Sequence, residues 1–252
     1  GLQDIYSDPD DVGKALAVLA TPQALDQLDA LATIVGRNDD LAAVEIRRLL
    51  DEEPAVESAV AELLLRIAQD NHLSPPLARL AGELLHSEDP FARGMAEWAI
   101  AMKVGGENNG QEAHWPGAES PAWFDTWLSL SQASRLEADW VRQAVSLGIH
   151  RDPAKLAASI DEMIARAGRM QADLPTDKMH EAELVVFADQ LDRLRELKDR
   201  FGKRLDTAPE DHIGLQRLWI DARRALREIV LANPILQEGG LVFVKQFAPH
   251  TV

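Results

Sequence analysis

The chain has 252 residues, enough to bury a substantial core in one large domain or two small ones. Its formal net charge is −16, from 42 acidic and 26 basic side chains, and a field of that sign repels phosphate backbones and argues against nucleic acid as a partner. Without cysteine it has no thiolate chemistry, disulfide, Cys-ligated zinc or covalently tethered haem, and no window approaches the roughly 20 apolar residues of a membrane span.

The chain opens GLQDIYSDPDD, with no Met. A mature exported protein whose signal peptide has been cleaved would begin this way, and so would a cut boundary; an exported location is the expectation. Asp8-Pro9-Asp10-Asp11 reads as a helix cap, because it lacks the twelve-residue ligand spacing of a calcium loop. Beyond it, apolar residues recur at three- and four-residue spacings, the helical period. Thr21 and Pro22 predict the start of a helix over PQALDQLDALATIV, closed at Gly36. Asn38 precedes DDLAAVEIRRLLDEE, and Pro54 precedes AVESAVAELLLRIAQDN. Ser74 opens SPPLARLAGELLH, and Asp89 with Pro90 opens DPFARGMAEWAIAMK. Short turns between these segments predict antiparallel helix pairs over residues 1–103.

The periodicity stops after Lys103. Residues 104–119, VGGENNGQEAHWPGAE, read as an irregular loop, and long ordered loops are often functional. Helices resume over 120–232: SPAWFDTWLSLSQAS, LEADWVRQAVSLGI, and DPAKLAASIDEMIARAGRM behind Asp152. Leu184, Phe187, Leu191, Leu194, Phe201 and Leu205 then follow a 3-4 alternation, with Lys198 in the slot that breaks it. A second run, Leu215, Leu218, Ala222, Ala225 and Ile229, predicts the return helix of a long antiparallel hairpin. The helix over 154–171, with Leu156, Ile160, Met163 and Ala167, is positioned to supply a third. Two heptads per seam favour an intramolecular bundle over a coiled-coil oligomer. The basic residues between Arg193 and Arg204 alternate with Asp192, Glu196 and Asp199, the pattern of a solvated face laced with ion pairs. The fold class expected is therefore all-α: helix pairs, as an irregular array or bundle, followed by a long helical hairpin.

Residues 233–252 differ. Asn233-Pro234 ends the helical pattern, Gly239-Gly240 breaks the chain again, and Leu241-Val242-Phe243-Val244 reads as one short C-terminal strand. A strand leaves backbone donors and acceptors unpaired unless a neighbour supplies partners, and a helical domain offers no sheet. The expected partner is a downstream domain that 233–252 leads into.

Five of the six tryptophans, Trp98, Trp115, Trp123, Trp127 and Trp140, crowd around the loop. Tryptophan faces beside amides and carboxylates suit sugars, whose C–H faces stack on the ring while hydroxyls bond the polar groups. The candidate ligand-binding set is Glu107, Asn108, Asn109, Gln111, His114, Trp115 and Trp123; the bland alternative is that the rings form core, above all Trp98, Trp127 and Trp140 within helix patterns. No metal and no cofactor is expected: Glu112 and His114 lack a HExxH partner set, and the histidines at 72, 86, 150, 180, 212 and 250 mostly sit at helix ends or on polar faces. No nucleophile elbow, phosphate loop or dinucleotide fingerprint occurs, so no catalytic residue is assigned.

Two stretches carry a resemblance. SEDPFARGMAEWAIAMK, residues 87–103, resembles half of a HEAT repeat, which places an Asp-Pro turn before a helix bearing Arg and small residues; here these are Asp89, Pro90, Arg93, Ala96 and Ala99. ANPILQEGGLVFVKQFAPHTV resembles the junction in large secreted bacterial proteins related to the hydrazine synthase alpha subunit, through Asn233, Pro234, Ile235, Leu236, Leu241, Val242, Phe243, Val244 and Lys245. That resemblance implies an N-terminal helical region followed by a β-rich, propeller-like domain of the same parent protein. It does not imply haem chemistry, since this chain has no thiol to tether haem. The function expected is a non-catalytic interaction or scaffold module of a larger exported protein. The alternative is a carbohydrate-binding or carbohydrate-active helical domain using the Trp-rich 105–123 region.

Overall fold

The computed structural model describes residues 9–21, 27–70, 73–107, 122–173 and 181–232. Among them all regular structure is helical, so the chain is all-α. The strand expected at 241–244 lies outside the described residues. The helices form two compact units, Gly1–Arg151 and Asp152–Val252. The sequence grouping 120–232 spans that division.

The first unit holds α1 (Pro9–Leu16), α2 (Leu28–Val35), α3 (Asp39–Glu52), α4 (Glu57–Gln69), α5 (Pro75–Leu84), α6 (Pro90–Glu107), α7 (Ala122–Leu128) and α8 (Gln132–Ser146). Their packing alternates. α1 packs on α3, α3 on α5 and α5 on α7, while α2 packs on α4, α4 on α6 and α6 on α8. Odd and even helices therefore make two layers, joined where α5 meets both α4 and α6. The even layer is the more apolar: Val60, Leu63, Leu64 and Ile67 of α4 and Phe91, Met95 and Ile100 of α6 are all buried.

Local chemistry explains where these helices start. Asp89 caps α6, its Oδ1 accepting from Phe91 N at 2.8 Å, and Arg93 donates to Ser87 O at 2.7 Å to close the same turn. The helix then runs past Lys103, where the sequence pattern gives out, to Glu107. Val104, one turn beyond the buried Ile100, continues the apolar stripe and keeps the backbone helical despite the two glycines that follow. The Thr21 hydroxyl donates back to Val18 O at 2.8 Å and closes a short 3-10 turn, Ala17–Ala20; α2 begins at Leu28, and the helix start expected at Pro22 lies outside the described residues.

Two glycines set the closest helix approaches. Gly82 of α5 lies against Cα and Cβ of Trp123 on α7, and a Cβ on Gly94 of α6 would stand 2.6 Å from Cβ of Val141 on α8. Gly94→Ala is expected to destabilise the first unit by about 1–2 kcal/mol, because overpacking outweighs the gain of roughly 1 kcal/mol in helix propensity. Gly168→Ala, on α9 (Pro153–Ala172) with nothing near its Cβ position, is expected to stabilise by up to about 1 kcal/mol. Urea unfolding of the two variants, showing opposite signs, checks the pair.

The second unit is three helices: α9, α10 (Glu181–Thr207) and α11 (His212–Leu231), each packed on the other two. Asp152 caps α9 through Ala154 N at 2.9 Å and Lys155 N at 3.2 Å, as Asp-Pro spacing predicts. Leu156, Ile160, Met163 and Ala167 of α9 and Leu215, Leu218, Ala222, Ala225 and Ile229 of α11 are all buried. On α10 the seam is Phe187, Leu191, Leu194, Leu197 and Phe201. Leu197 fills the slot that a strict 3-4 alternation gives to Lys198. Because α10 packs on both α9 and α11, its buried face is wider than a single 3-4 seam and takes in Leu197. Lys198 points outward and pairs with Asp161 of α9. The rest of that basic run is exposed, with Arg195 paired to Asp192 at 2.8 Å and Arg204 to Asp211 at the turn into α11.

Candidate functional site

The polar centre of the first unit begins on α4. Glu62 is only 7% exposed, within a run, Val60 to Leu65, that is buried on every side. A carboxylate so placed needs partners. They come from the other end of the unit, just after α8. There Gly148 adopts φ +63°, Gly148 N donates to Val145 O and Ile149 N to Ala144 O, both at 3.0 Å. This is a Schellman turn, which needs a residue tolerant of the left-handed conformation. It reverses the chain and delivers His150 and Arg151 to Glu62.

His150, also 7% exposed, places Nε2 at 3.2 Å from Glu62 Oε1, which assigns the Nε2 proton to this bond. Arg151 takes the same carboxylate side-on, Nε donating to Oε2 at 3.2 Å and Nη2 to Oε1. Burial pushes the Glu62 carboxyl up, but the hydrogen bonds from His150 and Arg151 outweigh it and hold the group below its ordinary 4.5. Glu62 is therefore a carboxylate at neutral pH.

A second cluster ties α6, α7 and α8 together. Glu97 of α6 accepts from Trp127 Nε1 at 3.2 Å and from Arg142 at 3.3 Å, while Arg93 pairs with Glu137 at 3.1 Å. Arg142 also lies over the Trp98 ring, 5.6 Å from its centroid, and Arg135 over Trp127 at 5.4 Å.

Between α4, α6 and the turn after α8 lies a cleft of about 590 Å³. Glu62, Arg66, Gln69, Trp98, His150 and Arg151 give it its polar and aromatic lining. Among the described residues no group of three His, Asp or Glu side chains comes together as a metal site.

Of the residues singled out from sequence, Glu107 is the last residue of α6, and Asn108, Asn109, Gln111, His114 and Trp115 lie outside the described residues. Trp123 is on α7, 7% exposed, its Cβ against Gly82 and its ring edge-on to Phe124 with centroids 5.9 Å apart. Trp98 and Trp127 belong to the ion-pair clusters. His150, grouped by sequence with histidines at helix ends and on polar faces, follows the end of α8 but is buried against Glu62. Sequence reasoning missed Glu62 altogether. The available signal was a lone charge inside an apolar stretch too continuous to leave a polar face. Compared with known protein families, curated proteins and solved structures, the chain matches none.

Proposed function

We propose that this chain is a helical interaction and scaffold module, non-catalytic in itself, of a larger exported protein. In this reading Gly1–Arg151 is a short HEAT-like array, and residues 241–247 add a strand to a β-rich domain further along the same parent polypeptide. The observation that carries it is the alternation of odd and even helices into two layers, each helix packed on the next but one. Stacked helix pairs grow by repetition and offer extended surfaces to partners.

The use of buried charge supports the same reading. Glu62 and Glu97 are the two buried glutamates among the described residues, and each joins segments far apart in sequence, with His150, Arg151, Trp127 and Arg142 as partners. Such ties fix one packing arrangement, which suits a rigid mount more than a turning-over site. The exported context and the β-rich partner rest on the resemblance of the 233–252 segment.

The test extends the chain. Amide hydrogen exchange of residues 241–245 is measured in this chain and in the polypeptide continued by its own downstream sequence. Strong added protection in the longer form, with the β-rich domain folded, is the expected result. Unchanged exchange there, or a parent gene that encodes no β-rich domain, overturns the reading.

A further inference from the structure

The cleft over Trp98 departs in charge from the chain around it. The chain carries −16, yet the lining holds two guanidiniums, Arg66 and Arg151, against the single carboxylate of Glu62. Both line the same cleft as that carboxylate. Arg66 and Gln69 follow Glu62 at i+4 and i+7, one stripe of α4, and Arg151 is held on Glu62 itself. Neither guanidinium is used up. Arg151 has five N–H donors and spends two on Glu62. Arg66 is bound through Nε to Asp29 at 3.1 Å, and Asp29 is 84% exposed, an ion pair in water that is weak and readily exchanged.

Beside these donors stands a flat apolar surface. Trp98 is half-buried on α6 and lines the cleft, held by the Arg142 guanidinium over its ring. Leu65 and Val145 extend the apolar wall. The volume, about 590 Å³, lies in the range that encloses a one- or two-ring molecule.

We propose that this cleft binds a small organic ligand bearing a carboxylate beside a six-membered ring, the ring lying on Trp98 and the carboxylate taken by Arg66 and the outer donors of Arg151. Gln69, at the rim, bonds hydroxyls where the ring carries them. The Glu62–His150–Arg151 cluster positions Arg151 and does not itself meet the ligand's charge. The described lining includes none of the 105–123 residues singled out from sequence, and the site goes beyond the scaffold reading; its failure leaves the downstream-strand test untouched. Two sources share this chemistry, an acidic sugar and an aromatic acid.

Titration calorimetry of the full chain with galacturonate and with benzoate separates them, with galactose and acetate as probes lacking the carboxylate or the ring. Saturable binding of at least one ring acid, with Kd near or below about 1 mM and at least tenfold tighter than both control probes, is expected. Galacturonate alone binding assigns the acidic sugar, and benzoate alone the aromatic acid. Arg66→Gln should weaken that binding tenfold or more without moving the thermal midpoint, because its one ion pair is exposed. Trp98→Leu should weaken it too, and raising salt from about 0.05 to 0.5 M should do the same. The proposal is overturned if neither acid saturates, if galactose or acetate binds as tightly, or if Arg66→Gln leaves the affinity unchanged.

Discussion

Trp219→Ala is expected to cost the second unit about 3–5 kcal/mol, the largest effect of any single truncation considered for this chain. Trp219 is 0% exposed on α11, its Nε1 donates to Ser159 Oγ of α9 at 3.2 Å, and Arg223 stands over its ring at 5.0 Å from the centroid. Removing the indole opens a cavity among the three helices and takes away the donor that the Ser159 hydroxyl accepts from. Ser159→Ala separates the contributions: it removes only the hydrogen bond and should cost about 1 kcal/mol. Hydrogen exchange on peptides from α9, α10 and α11 reads both. A tryptophan variant no less stable than the serine variant would mean that the ring is not what holds this unit together.

Glu62→Ala is expected to destabilise the first unit by about 2–4 kcal/mol, a fall on the order of 5–10 °C in its thermal midpoint. The value sits below that of a fully buried ion pair because Arg151 is 31% exposed and regains water, whereas His150 does not. Glu62→Gln keeps the shape and one acceptor and should cost less, about 1–2 kcal/mol.

The same residue sets an acid response. The Glu62 carboxyl is held below its unfolded value of 4.5 in the folded protein. A depressed carboxyl contributes stability that is fully present above the unfolded value and is lost as pH falls through the folded one. The loss therefore starts as pH drops past about 4.5 and is complete only below the folded value. Glu62→Gln removes that increment, so the gap in stability between wild type and variant should be widest at neutral pH and close on acidification. A gap that stays constant from neutral pH down to the acid limb would show that the carboxylate's charge contributes nothing.

The helices themselves were readable before any coordinates. Asp89 and Asp152 stand before prolines at helix starts, and each accepts from the first-turn amides. The apolar stripes of α9 and α11 contain the residues their spacing singles out. Both features are local, since a cap involves residues two or three apart and a stripe repeats within a single turn. The seam of α10 was readable only in part. Spacing alone offers the slot to Lys198, one residue along and roughly 100° round the helix from the Leu197 that is buried. The position of the neighbouring helix makes that choice.

The polar cluster was not readable, for a different reason. Glu62 and His150 are 88 residues apart, and their meeting depends on how α4, α6 and α8 stack and on the turn at Gly148. The two-layer alternation has no sequence period to reveal it, because what recurs is the position of a helix pair and not its residues. From its own order of residues, this chain determines that it is helical, where most helices begin, and which stripes seek burial, because those preferences are settled within a turn or two of backbone. Which stripe meets which, which charges become buried partners, and that Trp98, Arg66 and Arg151 line one cleft were decided only by tertiary packing, where contacts between distant segments set the geometry.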